Sequence, residues 1–334
     1  MKESLDEELY LKRNLGKIRC MRSTLYILTR DMIPVAYAAT NRIVEKNSRK
    51  FAEFRGVSSQ QYEELSRAIL KLLKGRELSV FEIKKALKTQ TDVPSVLNLM
   101  CDQGLLVRVR REKGWRDKSH KYSIFREYFP DVELTRYHES EAITLLLLQY
   151  LKSFGPVTEN DIAWWTGLTK TRVRQALNDL KQQISRLEIA DLSGDFIVFS
   201  SDLDAIGKPF HGKKRIINLL PTLDPYLMGY RDRERYLDPS KYDFVFDRSG
   251  NAAPTIMLDG RVIGIWDFEQ HVEPTTKIYL FEKVSRDVLK EIHLKARKMG
   301  EFIAGKEARL RECTFMVPLR SRPAGAIMSP LKGC

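Results

Sequence analysis

The densest set of groups able to do chemistry lies at residues 219–233, where an apolar run enters Asp224-Pro225 and then an Arg231-Asp232-Arg233 triplet. Side chains at the exit of a strand converge on a cleft, which makes Asp224, Tyr230, Arg231 and Arg233 candidate pocket residues. A carboxylate there can activate water, and two guanidiniums can hold a phosphate. The same residue types also describe an internal ion-pair network, with Asp224 or Asp232 neutralising Arg231 and Arg233.

Two further groups of cations suit a polyanion. Arg108, Arg110, Arg111, Lys113, Arg116, Lys118 and Lys121 are opposed only by Glu112 and Asp117, around a turn at Gly114 with Trp115 at its tip. Such cations neutralise phosphates, and an aromatic among them can enter a groove or stack on a base. The alternative is a solvated hairpin that meets another protein. Lys170, Thr171, Arg172 and Arg174 open an expected helix, where groove or phosphate contacts are made; a capped helix with solvated charges is the alternative.

His120, His138, His211, His271 and His293 lack the spacing of a metal site, and Cys20, Cys101, Cys313 and Cys334 form no Cys-x-x-Cys pair. No metal and no cofactor are expected, and the thiols are expected to be reduced, as in cytoplasm. A chain of 334 residues with a net charge of +13 is expected to hold two to four domains and to attract nucleic acid. No apolar run of about 18 residues and no export signal is present, which argues against a membrane partner.

The elements that must position these groups follow from periodicity and caps. Ser58 and Ser59 cap a helix carrying Leu65, Ile69, Leu72 and Leu73, which Gly75 stops. Ser79 opens a second helix with Phe81, Ile83 and Leu87, and a third, after Pro94, carries Val96, Leu97, Leu99 and Met100 up to Gly104. Strands over 105–111 and 120–125 then flank the basic turn, so 58–130 reads as a winged helix with a basic wing. Residues 137–205 repeat the plan: a helix over 139–154, a Thr158-x-x-Asp161 capping box, a third helix capped by Thr169, and strands over 187–192 and 195–200.

Residues 1–57 read as a partial or atypical winged helix, with Leu5, Leu9, Leu15 and Ile18 helical, a strand over 21–29 and a helix over 31–44. The chain is expected to begin partway through that unit. From 213 to 304, short strands at 216–220, 243–247, 255–258, 261–267 and 276–281, with an Asp259-Gly260 turn, indicate a small β-barrel or open sheet closed by a helix capped by Ser285. Residues 305–334 read as a loosely ordered tail. The fold class is α+β: tandem winged-helix domains, a small C-terminal barrel or open sheet, and a terminal helix.

Four motifs occur in order: Met21-Arg22-Ser23-Thr24-Leu25-Tyr26; Gly155-Pro156-Val157-Thr158-x-x-Asp161-x-Ala163-Trp164; Leu220-Pro221-x-Leu223-Asp224-Pro225 with Arg231-x-Arg233; and Leu258-Asp259-Gly260-Arg261-Val262-x-Gly264-x-Trp266. Together, over roughly residues 5–304, they resemble the AlkZ/YcaQ-like family of bacterial DNA glycosylases, which excise alkylated bases and unhook interstrand crosslinks. The resemblance implies three winged helices forming a concave basic surface with a C-terminal β-barrel. It further implies double-stranded DNA as partner and monofunctional hydrolysis of N-glycosidic bonds of alkylated purines without a cofactor; a monomer in the cytoplasm, associated with the nucleoid, is expected.

It also implies a Gln-x-Gln or Gln-x-Asp pair, upstream of the Met21-Arg22 motif, that positions the hydrolytic water. Gln60-Gln61 and Gln182-Gln183 lack the intervening residue, and Gln90-Thr91-Asp92 has the spacing but is expected in a turn and cap. No catalytic residue is carried over, and Asp224 stands as the candidate carboxylate. Two alternatives result: a repair glycosylase with a further N-terminal segment upstream of Met1, and a DNA-binding protein or regulator that has lost the chemistry. A protein-interaction scaffold is a third class. DNA binding with little or no excision is the expectation.

Overall fold

Arg13, in the left-handed region at φ 56°, ends the opening helical stretch, and the chain then pairs as an antiparallel hairpin, β1 (Leu15–Arg19) with β2 (Leu25–Thr29). Leu15 and Ile18 therefore lie on a strand and not on the expected helix: they sit opposite Thr29 and Tyr26 in a ladder rich in β-formers. The strand expected from residue 21 starts only at Leu25, because Arg22 (φ 54°) and Ser23 (φ 57°) turn the chain. The helix expected over 31–44 continues as α1 (Met32–Phe54); no Gly follows until Gly56, and an Arg49–Glu45 pair at 2.8 Å supports the added turns.

The computed structural model describes residues 2–109, 119–208, 215–270, 272–323 and 325–334. Arg110, Arg111, Lys113, Trp115, Arg116 and Lys118 of the basic turn lie outside the described residues, as do His211 and His271. The chain divides into two compact units: Met1–Gly155 with Ile162–Ile184, and Pro156–Asp161 with Ser185–Cys334.

In the first unit, reciprocal capping boxes open α2 (Ser59–Leu73), through Ser58 and Gln61, and α3 (Val80–Leu87), through Ser79 and Glu82. Between them runs β3 (Leu78–Ser79), and α4 (Val93–Asp102) ends before Gly104 at φ 72°. β4 (Leu106–Arg108) and β5 (Lys121–Ile124) complete a sheet of order β3-β5-β4. Ile69, Leu73, Ile83, Leu97, Leu106 and Tyr122 form its core with the three helices. After a short helical turn at Phe125–Tyr128 come α5 (Glu139–Phe154), α6 (Glu159–Thr166), whose first residues belong to the other unit, and α7 (Lys170–Asp179), capped by Thr169.

The second unit holds two sheets. β6 (Val157–Thr158), β7 (Ile184–Leu187) and β8 (Phe196–Phe199) take the order β6-β8-β7; β7 ends where a strand was expected to begin, and Asp191 at φ 64° shapes the long connection to β8. β9 (Ile217–Leu220), β10 (Thr255–Leu258), β11 (Arg261–Glu269), β12 (Thr275–Leu280) and β13 (Arg309–Glu312) form an open sheet in sequence order, antiparallel except for β13. Asp259 (φ 49°) and Gly260 (φ 85°) make the expected tight turn between β10 and β11. α8 (Arg286–Ala304) lays Val288, Ile292 and Ala296 on Ile217, Ile256, Trp266 and Ile278. A Cβ at Gly300 would fall 2.1 Å from Thr276 Oγ1, so glycine lets α8 approach β12.

Two expectations for this unit are corrected. Residues 243–247 form no strand: Tyr242–Val245 is a helical turn, and Phe246 makes only an isolated bridge to Ala252. The tail after 305 is packed, with Leu319, Ile327 and Leu331 buried and Lys277 Nζ donating to the carbonyls of Leu331 and Cys334 at 3.3 Å. Cys313 and Cys334, expected as thiols, are joined in a disulfide with Cα atoms 5.7 Å apart; Cys20 and Cys101 are free. Among the described residues no helix is long and apolar enough to cross a membrane.

Candidate functional site

Asp161 organises the second unit. Thr158 N donates to its Oδ2 at 2.9 Å and Asp161 N donates to Thr158 Oγ1 at 3.1 Å, the reciprocal box that opens α6. The other oxygen accepts from the backbone N–H groups of Arg231 (2.7 Å) and Asp232 (3.1 Å), and Arg235 stands 3.7 Å from Oδ2. One fully buried carboxylate thus caps a helix and fixes the backbone of a loop some 70 residues on.

From that anchor the run 231–235 alternates. Arg233 turns inward: it is 6% exposed, donates to Tyr242 Oη (2.6 Å) and Gly250 O (3.0 Å), and lies 3.5 Å from the Phe246 ring. Arg235 also turns inward, stacking 4.0 Å from the Tyr230 ring and donating to Pro156 O at 2.8 Å. Arg231, Asp232 and Glu234 face outward.

They face a cleft of about 810 Å³, also lined by Thr158, Glu159, Asn160, Arg186, Ser193, Gly194, Asp195, Arg233, Leu237, Pro239 and Tyr242. Its charged lining is four carboxylates, Glu159, Asp195, Asp232 and Glu234, against three guanidiniums. Arg186 pairs with Asp195, and Arg233 is engaged by Tyr242 and Gly250. Carboxylates thus outnumber guanidiniums in the lining by one. Partial burial, then the neighbouring Asp161 carboxylate, push the Asp232 carboxyl above the ordinary aspartate value, against a hydrogen bond from Thr158 Oγ1 (3.4 Å). Such a carboxylate is a stronger base than an ordinary aspartate.

The structure separates the other pocket candidates from this cleft. Asp224 is absent from the lining; it caps the turn Pro225–Met228, its Oδ1 accepting from Tyr226 N at 2.9 Å. Tyr230 is buried under Arg235, and burial pushes its hydroxyl up to about 12. The sequence motifs nevertheless meet: Trp266 Nε1 donates to Leu220 O at 2.8 Å, and in the first unit the Arg22 guanidinium lies 3.9 Å from the Trp164 ring. Gly167 (φ 76°) passes close to Arg22, where a Cβ would be 3.2 Å from its backbone nitrogen. Arg235 and Tyr242 escaped the sequence reading, although the Arg233-x-Arg235 spacing puts two side chains on one face.

Among the proposed polyanion contacts, Arg108 is corrected: it is buried, and its guanidinium donates to Asn98 Oδ1 at 2.6 Å, because on β4 it stands opposite Tyr122 of the core. Lys121 is half-buried on β5. At the start of α7, Lys170, Thr171 and Arg174 are exposed, whereas Arg172 forms a two-pronged pair with Glu139. Asp92 of Gln90-Thr91-Asp92 stands at the N-cap of α4, accepting from Ser95 Oγ and from Arg55 Nε (3.2 Å). Among the described residues no cluster of His, Cys, Asp or Glu is arranged to hold a metal.

A family model described as DNA glycosylase AlkZ-like matches residues 2–302. The interstrand DNA cross-link repair glycosylase of Streptomyces sahachiroi is 25% identical over 131 residues, which are 38% of this chain and 34% of that protein. The matched segment thus spans about a third of the curated relative's length. The solved structure of Streptomyces sahachiroi DNA glycosylase AlkZ shares the fold with a TM-score of 0.71 at 20% identity, covering 93% of this chain and 85% of that one.

Proposed function

The chain belongs to the DNA glycosylase AlkZ-like family, and on that premise we propose that it binds double-stranded DNA and receives a cationic N-alkylpurine in the cleft of its second unit. The observation that carries the proposal is a cleft richer in carboxylates than in guanidiniums on a chain of net charge +13. The chain's overall charge attracts the phosphates, while the cleft selects the charge that alkylation at a ring nitrogen places on a purine. A crosslink made through such nitrogens carries the same charge, which extends the proposal to interstrand cross-link repair, the role named for the Streptomyces sahachiroi relative. The cleft volume falls in the range of small-molecule sites, about 300–1,000 Å³, which suits a base turned out of the stack.

Hydrolysis breaks the C1′–N9 bond; the electron pair leaves with the purine and neutralises it, and a water oxygen bonds to C1′. Asp232, better placed than Asp224, takes the water's proton, and the surrounding carboxylates stabilise positive charge as it moves onto the sugar. On this reading 1–57, 58–130 and 137–205 are an atypical and two regular winged helices, followed by a sheet domain over 213–304 and a packed tail over 305–334. Phosphates are met by Lys170, Thr171 and Arg174, by Lys121, and by the wing residues Arg110, Arg111, Lys113, Arg116 and Lys118, while Trp115 enters a groove or stacks on a base. The protein works as a cytoplasmic, nucleoid-associated monomer.

A second reading is binding without excision. No catalytic pair is carried over from the resemblance: Gln90-Thr91-Asp92 lies downstream of the Met21-Arg22 motif, and Asp92 is bound to Ser95 and Arg55. Base release from duplexes containing 7-methylguanine or uracil, with binding to each measured in parallel, decides. Release of 7-methylguanine and not of uracil is expected. Binding without release selects the second reading, and equal release of both bases would overturn the charge-selective cleft.

A further inference from the structure

Among the described residues, Leu223 is the one apolar side chain carried on a left-handed backbone, at φ 59°. Glycine adopts that conformation without cost and leucine does not, because its Cβ crowds the following carbonyl. The strain is not repaid by burial, since Leu223 is 48% exposed. The backbone is held in place: Leu223 N donates to Ala252 O at 2.9 Å, and the next residue, Asp224, accepts from Tyr226 N at 2.9 Å. Tyr226, 39% exposed, rests its ring 5.4 Å from Tyr230 and 5.6 Å from Tyr236, both of which are buried. Leu223 and Tyr226 are thus both exposed, and Tyr226 rests on buried aromatic rings.

Folding alone favours glycine or a polar residue at 223 on both counts, and a local outlier that the folded state does not reward points to work done on a partner. The partner has an apolar interior and a polyanionic exterior, which are the properties of stacked base pairs, and the chain's charge of +13 complements that exterior. Resting on the DNA-binding reading above, we propose that Leu223, with Tyr226 beside it, is a wedge that enters the duplex where a base has left the stack. Its apolar surface, exposed in the free protein, becomes covered by the flanking bases, which favours damaged over intact duplex.

The test is Leu223→Gly, which keeps the backbone conformation and removes the side chain, together with Leu223→Asn, a polar residue tolerated at positive φ. Affinity is measured on a duplex with an abasic site and on the same duplex intact, with melting temperature as the control on folding. Both variants are expected to melt at or above the parent temperature, to lose about tenfold in affinity for the abasic duplex, in line with what stacking on a single base is worth, and to bind intact duplex as before. Unchanged affinity for the abasic duplex, or equal losses on the two duplexes, would overturn the wedge while leaving DNA binding in place. Failure of the parent to bind either duplex would overturn both the wedge and the DNA-binding reading on which it rests.

Discussion

Asp161 accepts three backbone N–H groups and faces Arg235 while fully buried, so removing it leaves those donors and the Arg235 charge without their acceptor. Asp161→Ala is expected to cost about 3 kcal/mol or more in urea unfolding, and Asp161→Asn less, since the amide oxygen still accepts. Its role as a cap is visible in Thr158-x-x-Asp161; its hold on Arg231 and Asp232 is not, because nothing local in the sequence reports a partner 70 residues away. Asp232 behaves differently. Its carboxyl is raised above the usual 3.8, so its protonated form favours folding, and that support is lost as the pH climbs through the folded pKa. Asp232→Asn should therefore be at least as stable as the parent at neutral pH, yet release base about 10²- to 10⁴-fold more slowly. The parent's rate should fall as the pH drops through the same pKa, a limb that the variant lacks.

At the scale of elements, caps were the most legible feature: Ser58, Ser79, Thr169 and Ser285 each open the helix expected of them, since a cap and its first turn are adjacent in sequence. Short apolar runs were not legible. Leu15 and Ile18 fit a helical period as well as a strand, and 243–247 fits a strand as well as a turn of helix, until pairing partners decide. The proposed role of α7 is tested by Lys170→Ala with Arg174→Ala, which should weaken duplex binding and flatten the slope of log affinity against log salt by about one for each phosphate no longer neutralised. Arg172→Ala should lower stability as well, because it breaks the pair with Glu139. An unchanged salt slope in the double variant would remove α7 from the DNA surface.

Across the whole molecule, composition foretold a polyanion partner but concealed a local inversion of sign: the cleft collects carboxylates from Glu159, Asp195, Asp232 and Glu234, which are scattered along the sequence among more numerous cations. The tail shows the same limit, since Leu319, Ile327 and Leu331 lack periodicity yet are buried, pinned by a disulfide between residues 21 apart. Closing a loop of that length predicts a loss of about 3 kcal/mol in Cys313→Ser with Cys334→Ser, read by urea unfolding. On the proposed function, the cleft selects positive charge on a purine. The most direct measurement of that selection is the affinity of the protein for 7-methylguanosine relative to guanosine, in the parent and in Asp232→Asn with Glu234→Gln. A clear preference for the cationic nucleoside, shrinking toward equality in the double variant, is the predicted result; equal affinities in the parent, or a preference untouched by removing both carboxylates, would contradict it.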